Sequence, residues 1–143
     1  MPPLSEGAAR EFVLSRNRGV LVTIKRSDGR PQLSNVLYGV VDGRVGVSTT
    51  DDRVKTANLR NDPRVSLHVT SDDFWTYVVV ESVADLSEMA RTPGDETCRL
   101  LLATYEAAAG MPHPEPDEFF QAMVDERRLV VSFGIDRLYP VVR

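Results

Sequence analysis

Two Asp-Gly pairs, Asp28-Gly29 and Asp42-Gly43, interrupt stretches that alternate apolar and polar residues, and this commits the front of the chain to antiparallel sheet. Asp-Gly supplies the positive φ values of a tight hairpin, and a two-residue repeat sends successive side chains to opposite faces. Before the first pair, Val20, Val22 and Ile24 alternate with Leu21, Thr23 and Lys25. Gln32 to Val41 lies between the pairs and Val45 to Thr49 follows the second, which predicts a three-stranded β-meander.

The rest of the chain supplies three more strands and four helices. Ser5 predicts a capped helix over residues 5–15, a lid on one end of a barrel. Asp51-Asp52 are expected to cap a short helix running to Asn61, which Asp62-Pro63 stops. A fourth strand is expected at Val65, Leu67 and Val69, and Phe74 to Glu81 reads as a long central strand. Thr92-Pro93-Gly94-Asp95 has capping-box spacing and opens a helix with Cys98, Leu101, Leu102 and Tyr105 on one stripe, ended by Gly110 and Pro112. A shorter helix around Phe119, Phe120, Met123 and Val124 precedes a strand from Arg128 to Phe133 that closes the sheet. The expected fold is mainly β within the α+β class, a small six-stranded antiparallel barrel with peripheral helices, because closure removes sheet edges.

At 143 residues the chain is expected to be one domain spanning 1–143. A net charge of −4 provides no overall positive field to hold a polyanion, so nucleic acid is not an expected partner. The lone Cys98 excludes an intrachain disulfide or a CxxC pair, and no metal site is expected. Met1 to Glu6 lacks a basic head with an apolar core, and no apolar run approaches the roughly 18 residues needed to cross a bilayer. The expectation is a cytoplasmic protein that does not engage a membrane. His68 and His113 lack metal-site spacing, and GxSxG, GxGxxG and GxxxxGK[ST] are all missing. If the protein is an enzyme, its reactive group is then expected to come from a bound cofactor.

One constellation stands out. Ser48, Thr49 and Thr50 end a strand directly before a helix that carries Arg53 and Lys55 in its first turn, followed by Thr56 and Arg60. Cations there oppose the helix dipole, whereas free N–H groups, hydroxyls and cations together suit a phosphate. The plainer alternative is that Asp51 and Asp52 cap the helix and neutralise the cations. Gln32 and Asn35 place amides in a strand where they either read the edge of a heteroaromatic ring or sit solvated at a sheet edge. Trp75 and Tyr77 offer flat surfaces to a planar ring, a core or a subunit interface. Met123 with Arg127 and Arg128 either closes such a pocket or packs as core.

In order along the chain, Gly19-Val20-Leu21-Val22-Thr23-Ile24, Gly29 to Val36 and Arg53 to Arg64 resemble the split β-barrel flavin/deazaflavin oxidoreductases. More narrowly they resemble the actinobacterial branch related to pyridoxamine 5′-phosphate oxidase that uses coenzyme F420. The resemblance extends through Asp73 to Tyr77 and Gln121 to Arg128. It implies a six-stranded antiparallel split β-barrel and a homodimer with cofactor sites at the interface. It further implies that Ser48, Thr49, Thr50, Arg53, Lys55, Thr56 and Arg60 surround the cofactor's phosphate and acidic tail. Gln32, Asn35 and Val36 would lie along the ring, with Trp75, Tyr77, Met123 and Arg127 contributed by the partner subunit. The implied reaction is hydride transfer from reduced F420 to a small electron-poor acceptor such as an enone or quinone. An FMN-dependent oxidase-like or flavin reductase enzyme and a non-catalytic carrier are the alternatives. A cationic exit of Lys25, Arg26, Arg53, Lys55, Arg60 and Arg64 would suit the polyglutamate tail that distinguishes F420 from FMN.

Overall fold

The computed structural model describes residues 3–142. It begins with β1 (Leu4–Ser5) and helix α1 (Glu6–Leu14), whose Ser5 hydroxyl accepts from the Ala8 N–H at 3.2 Å. β2 (Arg18–Ile24) and β3 (Pro31–Leu37) pair antiparallel across Asp28-Gly29. β4 (Gly39–Val41) and β5 (Arg44–Thr50) pair across Asp42-Gly43, where both residues have positive φ, 52° and 75°. These are the values that a two-residue hairpin matched to strand twist requires. Helix α2 (Val54–Asn61), β6 (Arg64–Thr70), β7 (Tyr77–Val83) and β8 (Asp85–Leu86) follow. Two further helices, α3 (Glu96–Ala109) and α4 (Pro116–Asp125), lead into β9 (Arg128–Gly134), β10 (Arg137–Tyr139) and β11 (Val141–Val142).

The six expected strands are all present as seven-residue elements, namely β2, β3, β5, β6, β7 and β9, joined by five short ones. They do not form one continuous closed sheet. A five-stranded sheet has the order β10-β7-β6-β2-β3 and a four-stranded sheet the order β4-β5-β9-β8. Leu21, Leu67, Val78 and Val80 from the first and Val45, Val47, Val131 and Phe133 from the second share one core.

Four sequence expectations are corrected. The meander breaks at Tyr38, where the chain leaves one sheet for the other. Tyr38 is fully buried, its phenol donates to the Val13 carbonyl at 2.6 Å, and its N–H donates to Asn17 at 2.8 Å. Those bonds take the place of a ladder partner, and burial pushes the phenol's pKa well above its usual value. β7 starts at Tyr77, leaves Phe74 and Trp75 in the preceding turn, and lies second from the edge, with β6 at the centre. α3 is capped by Asp95 rather than Thr92, and α2 starts from Arg53 with no side-chain cap, so Asp51 and Asp52 do other work.

Strand register sorts the five-stranded sheet into two faces. Leu21, Leu67, Val78 and Val80 point inward, while Leu33, Val22, Tyr77, Val83 and Tyr139 fall on the outer face. Of these outer residues, Leu33, Tyr77, Val83 and Tyr139 are 60%, 43%, 57% and 46% exposed. Trp75, in the turn beside this face, is 72% exposed.

Candidate functional site

Gly39 and Gly46 face each other across β4 and β5, and together they form a notch that seats α3 on the outside of the four-stranded sheet. A Cβ on Gly39 would collide with the Thr104 carbonyl, and one on Gly46 would come within 3.1 Å of the Thr104 hydroxyl. At Gly39 only glycine permits that approach, and at Gly46 a larger residue would have to push Thr104 aside. Seated there, α3 leaves a cleft of about 480 Å³ between itself, α4 and the edge strand β3. Asn35, Val36 and Leu37 form the near wall, while Ser48 and Lys55 come from the end of β5 and the first turn of α2. Leu101, Tyr105, Phe119 and Met123 make an apolar far wall, and Glu126 and Arg128 also line the cleft. The volume lies in the range of small-molecule sites.

Hydroxyls and amides around this cleft are mostly engaged in holding it. Thr56 is fully buried and donates to the Thr50 carbonyl at 2.8 Å. With its one proton used there, Thr49 must donate the 3.1 Å bond between their hydroxyls. This pair staples the end of β5 to α2 and lies behind the surface. Gln32 accepts from the Thr23 hydroxyl at 3.1 Å, and Thr23 accepts from the buried Asn58 amide at 3.2 Å, tying β3 through β2 to α2. Asp52 accepts from the Thr50 hydroxyl at 2.6 Å. Asp51 binds Arg60 at 2.7 Å and Arg127 at 3.3 Å, so one of the three expected phosphate cations and the arginine expected from the partner subunit are both held by one carboxylate of this chain.

Lys55 differs from those arginines. Among the described residues no carboxylate lies within ion-pair distance of it. Its pKa is lowered by burial first, and then by the positive charges of Arg53 and Arg128. Arg128 donates to Ser48 at 3.1 Å and to Glu126 at 2.9 Å. The first-turn N–H groups of α2 have no side-chain cap, which adds a positive dipole end beside Lys55. A half-buried cation, further like charges and free N–H groups together favour an anion entering the cleft.

The structure therefore brings Asn35, Val36, Ser48, Lys55 and Met123 to one cleft. Met123 lines this chain's own cleft and is buried. Thr49, Thr56 and Gln32 stand behind it as supports, Thr50 joins them through its carbonyl, and Arg53 starts α2. Arg60 and Arg127 meet at Asp51, whereas Trp75 and Tyr77 belong to the outer face of the other sheet and its flanking turn. Arg128, expected with Met123 as a candidate to close the pocket, does line the cleft, whereas Glu126 and the wall of Tyr105 and Phe119 carry no sequence assignment to the site. The helical stripe of Leu101 and Tyr105 was legible, but an apolar stripe does not reveal whether it faces core or cleft.

Fold and site define a split-barrel protein with an anion-receptive cleft beside its edge strand. The family model for pyridoxamine 5′-phosphate oxidase matches residues 5–92, and the chain belongs to that family. The solved structure of the conserved hypothetical protein Rv2991 from Mycobacterium tuberculosis is similar, with 29% identity and a TM-score of 0.74 over 94% of this chain and 82% of that one. An F420 reductase shares the fold at 20% identity and a TM-score of 0.63, covering 96% of this chain and 98% of the other. A heme binding protein from Mycobacterium smegmatis matches at 25% identity and a TM-score of 0.65, covering 96% of this chain and 54% of that protein.

Proposed function

We propose that this chain is an oxidoreductase that binds coenzyme F420 in the cleft and reduces an electron-poor organic acceptor such as an enone or quinone. The observation that carries this reading is Lys55, a half-buried cation without a carboxylate partner among the described residues. Lys55, Arg53, Ser48 and the first turn of α2 would hold the phosphate, and Asn35 and Val36 would border the ring. When bound, the reduced coenzyme supplies the hydride. The apolar wall of Leu101, Tyr105, Phe119 and Met123 excludes water from that face.

A second copy of the chain completes the site in this reading. The outer face exposes Leu33, Tyr77, Val83 and Tyr139 among polar and charged neighbours, and a second copy seated there would cover them. It adjoins β3, so a partner seated there would bring Trp75 and Tyr77 toward the cleft's open side.

FMN is the competing cofactor, and one observation favours it. Arg60 is held by Asp51 and Arg64 by Asp62 at 2.7 Å each, so the expected exit for an acidic tail shrinks to Lys25, Arg26, Arg53 and Lys55. Lys25 and Arg26 nevertheless border an open cleft with Val54 and Asn58 on the flank of α2, where a polyanionic tail can run. Anaerobic titration with F420 and with FMN separates the two, and tight FMN binding without F420 binding would reverse the choice. Reduced cofactor incubated with enones and quinones separates an enzyme from a carrier, since a carrier would not accelerate its oxidation.

A further inference from the structure

Asn35, Val36 and Leu37 border a second cleft, of about 420 Å³, on the outer side of the five-stranded sheet. Its other walls include Arg18, Val20, His68, Thr70 and Asp72. The two clefts meet around the free edge of β3. Register puts Asn35, Val20 and His68 in one row across β3, β2 and β6, so His68 stands two strand spacings, about 9.5 Å, from the shared edge.

The His68 ring is held in place. Its Nδ1 lies 3.2 Å from the Thr70 hydroxyl, and it stacks on Tyr77 with centroids 5.2 Å apart and planes at 17°. Its Nε2 has no partner among the described residues. Arg18 likewise makes no ion pair among those residues, and the nearby Asp72 lies 3.8 Å from Arg16. A held imidazole and an exposed guanidinium at a cleft walled by Val20, Val36 and Leu37 match an acceptor with a flat apolar body and an exposed carbonyl oxygen.

We propose that this second cleft receives the acceptor's carbonyl end, and that His68 donates the proton that completes its reduction. The inference rests on the hydride-transfer reading above, with a reduced deazaflavin as the reductant. As hydride adds to the β-carbon of an enone, a C–H bond forms and the displaced π pair comes to rest on the carbonyl oxygen. The His68 Nε2–H bond then breaks, its proton passes to that oxygen, and a proton taken up from solvent returns to Nε2. The charged or titratable groups around His68 are Arg18 on β2, Tyr77 and Glu81 on β7, and Asp72 in the next turn.

Two measurements test this. The chain has only two histidines, so the His68 Cε1–H resonance is assigned by comparison with His68→Gln. Menadione added to the cofactor-free protein should move that resonance and leave His113 unmoved. With reduced F420 present, His68→Gln should lower kcat on the order of 100-fold and abolish the fall in kcat with rising pH. F420 affinity, read by fluorescence, should stay within about twofold, because His68 lies outside the phosphate site. Arg18→Gln should raise KM for menadione and keep the pH dependence. A His68→Gln variant with wild-type kcat and pH profile, or a His68 resonance unmoved at saturating menadione, would overturn the proposal. If F420 failed to bind the wild-type chain, the function proposed above would fall, and this inference with it.

Discussion

At the residue scale, charge pairing separates cations that hold the structure from cations left for a ligand. Arg60, Arg64 and Arg127 each have an acidic partner, whereas Lys55 has none among the described residues. Lys55→Ala should therefore weaken binding of an anionic cofactor by about 1.5–3 kcal/mol, the range for hydrogen bonds to charged groups, with thermal stability unchanged or slightly raised. The sign on stability follows from its lowered pKa. The folded state binds this proton less well than the unfolded chain, so charged Lys55 costs stability at neutral pH, and the cost fades as pH rises above the folded value. Anion affinity should run the opposite way, flat through neutrality and falling at a lower alkaline pH than an ordinary lysine would give. Calorimetric titrations across that range test the direction. None of this pairing was legible in the sequence. Asp51 and Asp52 precede a helix as caps do, but Asp51 reaches Arg60 at the far end of α2 and Arg127, 76 residues on, while Asp52 takes the Thr50 hydroxyl two residues back.

At the element scale, two local devices position the cleft's far wall. Asp95 accepts from the N–H groups of Cys98, Arg91 and Thr92 at 2.8, 2.9 and 3.1 Å, fixing the start of α3. Those bonds lower its pKa from the ordinary 3.8 to about 2, the Arg91 bond contributing most. Its stabilisation is present above the unfolded value and is lost as pH falls through about 2. Asp95→Ala should cost about 1–2 kcal/mol at pH 7, and denaturant melts should show that cost shrinking toward pH 2. The second device is the glycine notch. Gly39→Val drives a branched side chain into the α3 backbone and should destabilise by roughly 1–3 kcal/mol or displace the wall, read as a lower denaturation midpoint and weaker cofactor binding. Element existence was legible because the two-residue period and the Gly/Pro stops are local signals. The break at Tyr38 was not, because its cause is a hydrogen bond to α1, 25 residues earlier. The cap of α3 was assigned to Thr92 because the capping-box spacing fits there, yet Asp95 has the geometry.

At the scale of the whole molecule, the proposed dimer links the exposed aromatic and aliphatic side chains of the outer sheet face to the open side of the cleft. In the proposed dimer a second copy on that face would cover Tyr77, Val83 and Tyr139 and close the cleft's open side. Sedimentation should give a dimer, and Tyr77→Asp should shift it toward monomer and lower cofactor affinity together. A wild-type monomer that binds cofactor tightly would separate the two properties and refute the shared site. The family and the split-barrel class were legible from the order of the motifs along the chain, which no single motif carried. The placement of α3 and α4 as a wall was not, because helix stripes carry no address. The central claim is that Lys55 anchors the anionic end of a redox cofactor, and side-by-side calorimetric titration of wild type and Lys55→Ala with F420 tests it most directly. Saturable binding by the wild type and at least tenfold weaker binding by the variant are predicted; equal affinity in the two proteins would contradict the account.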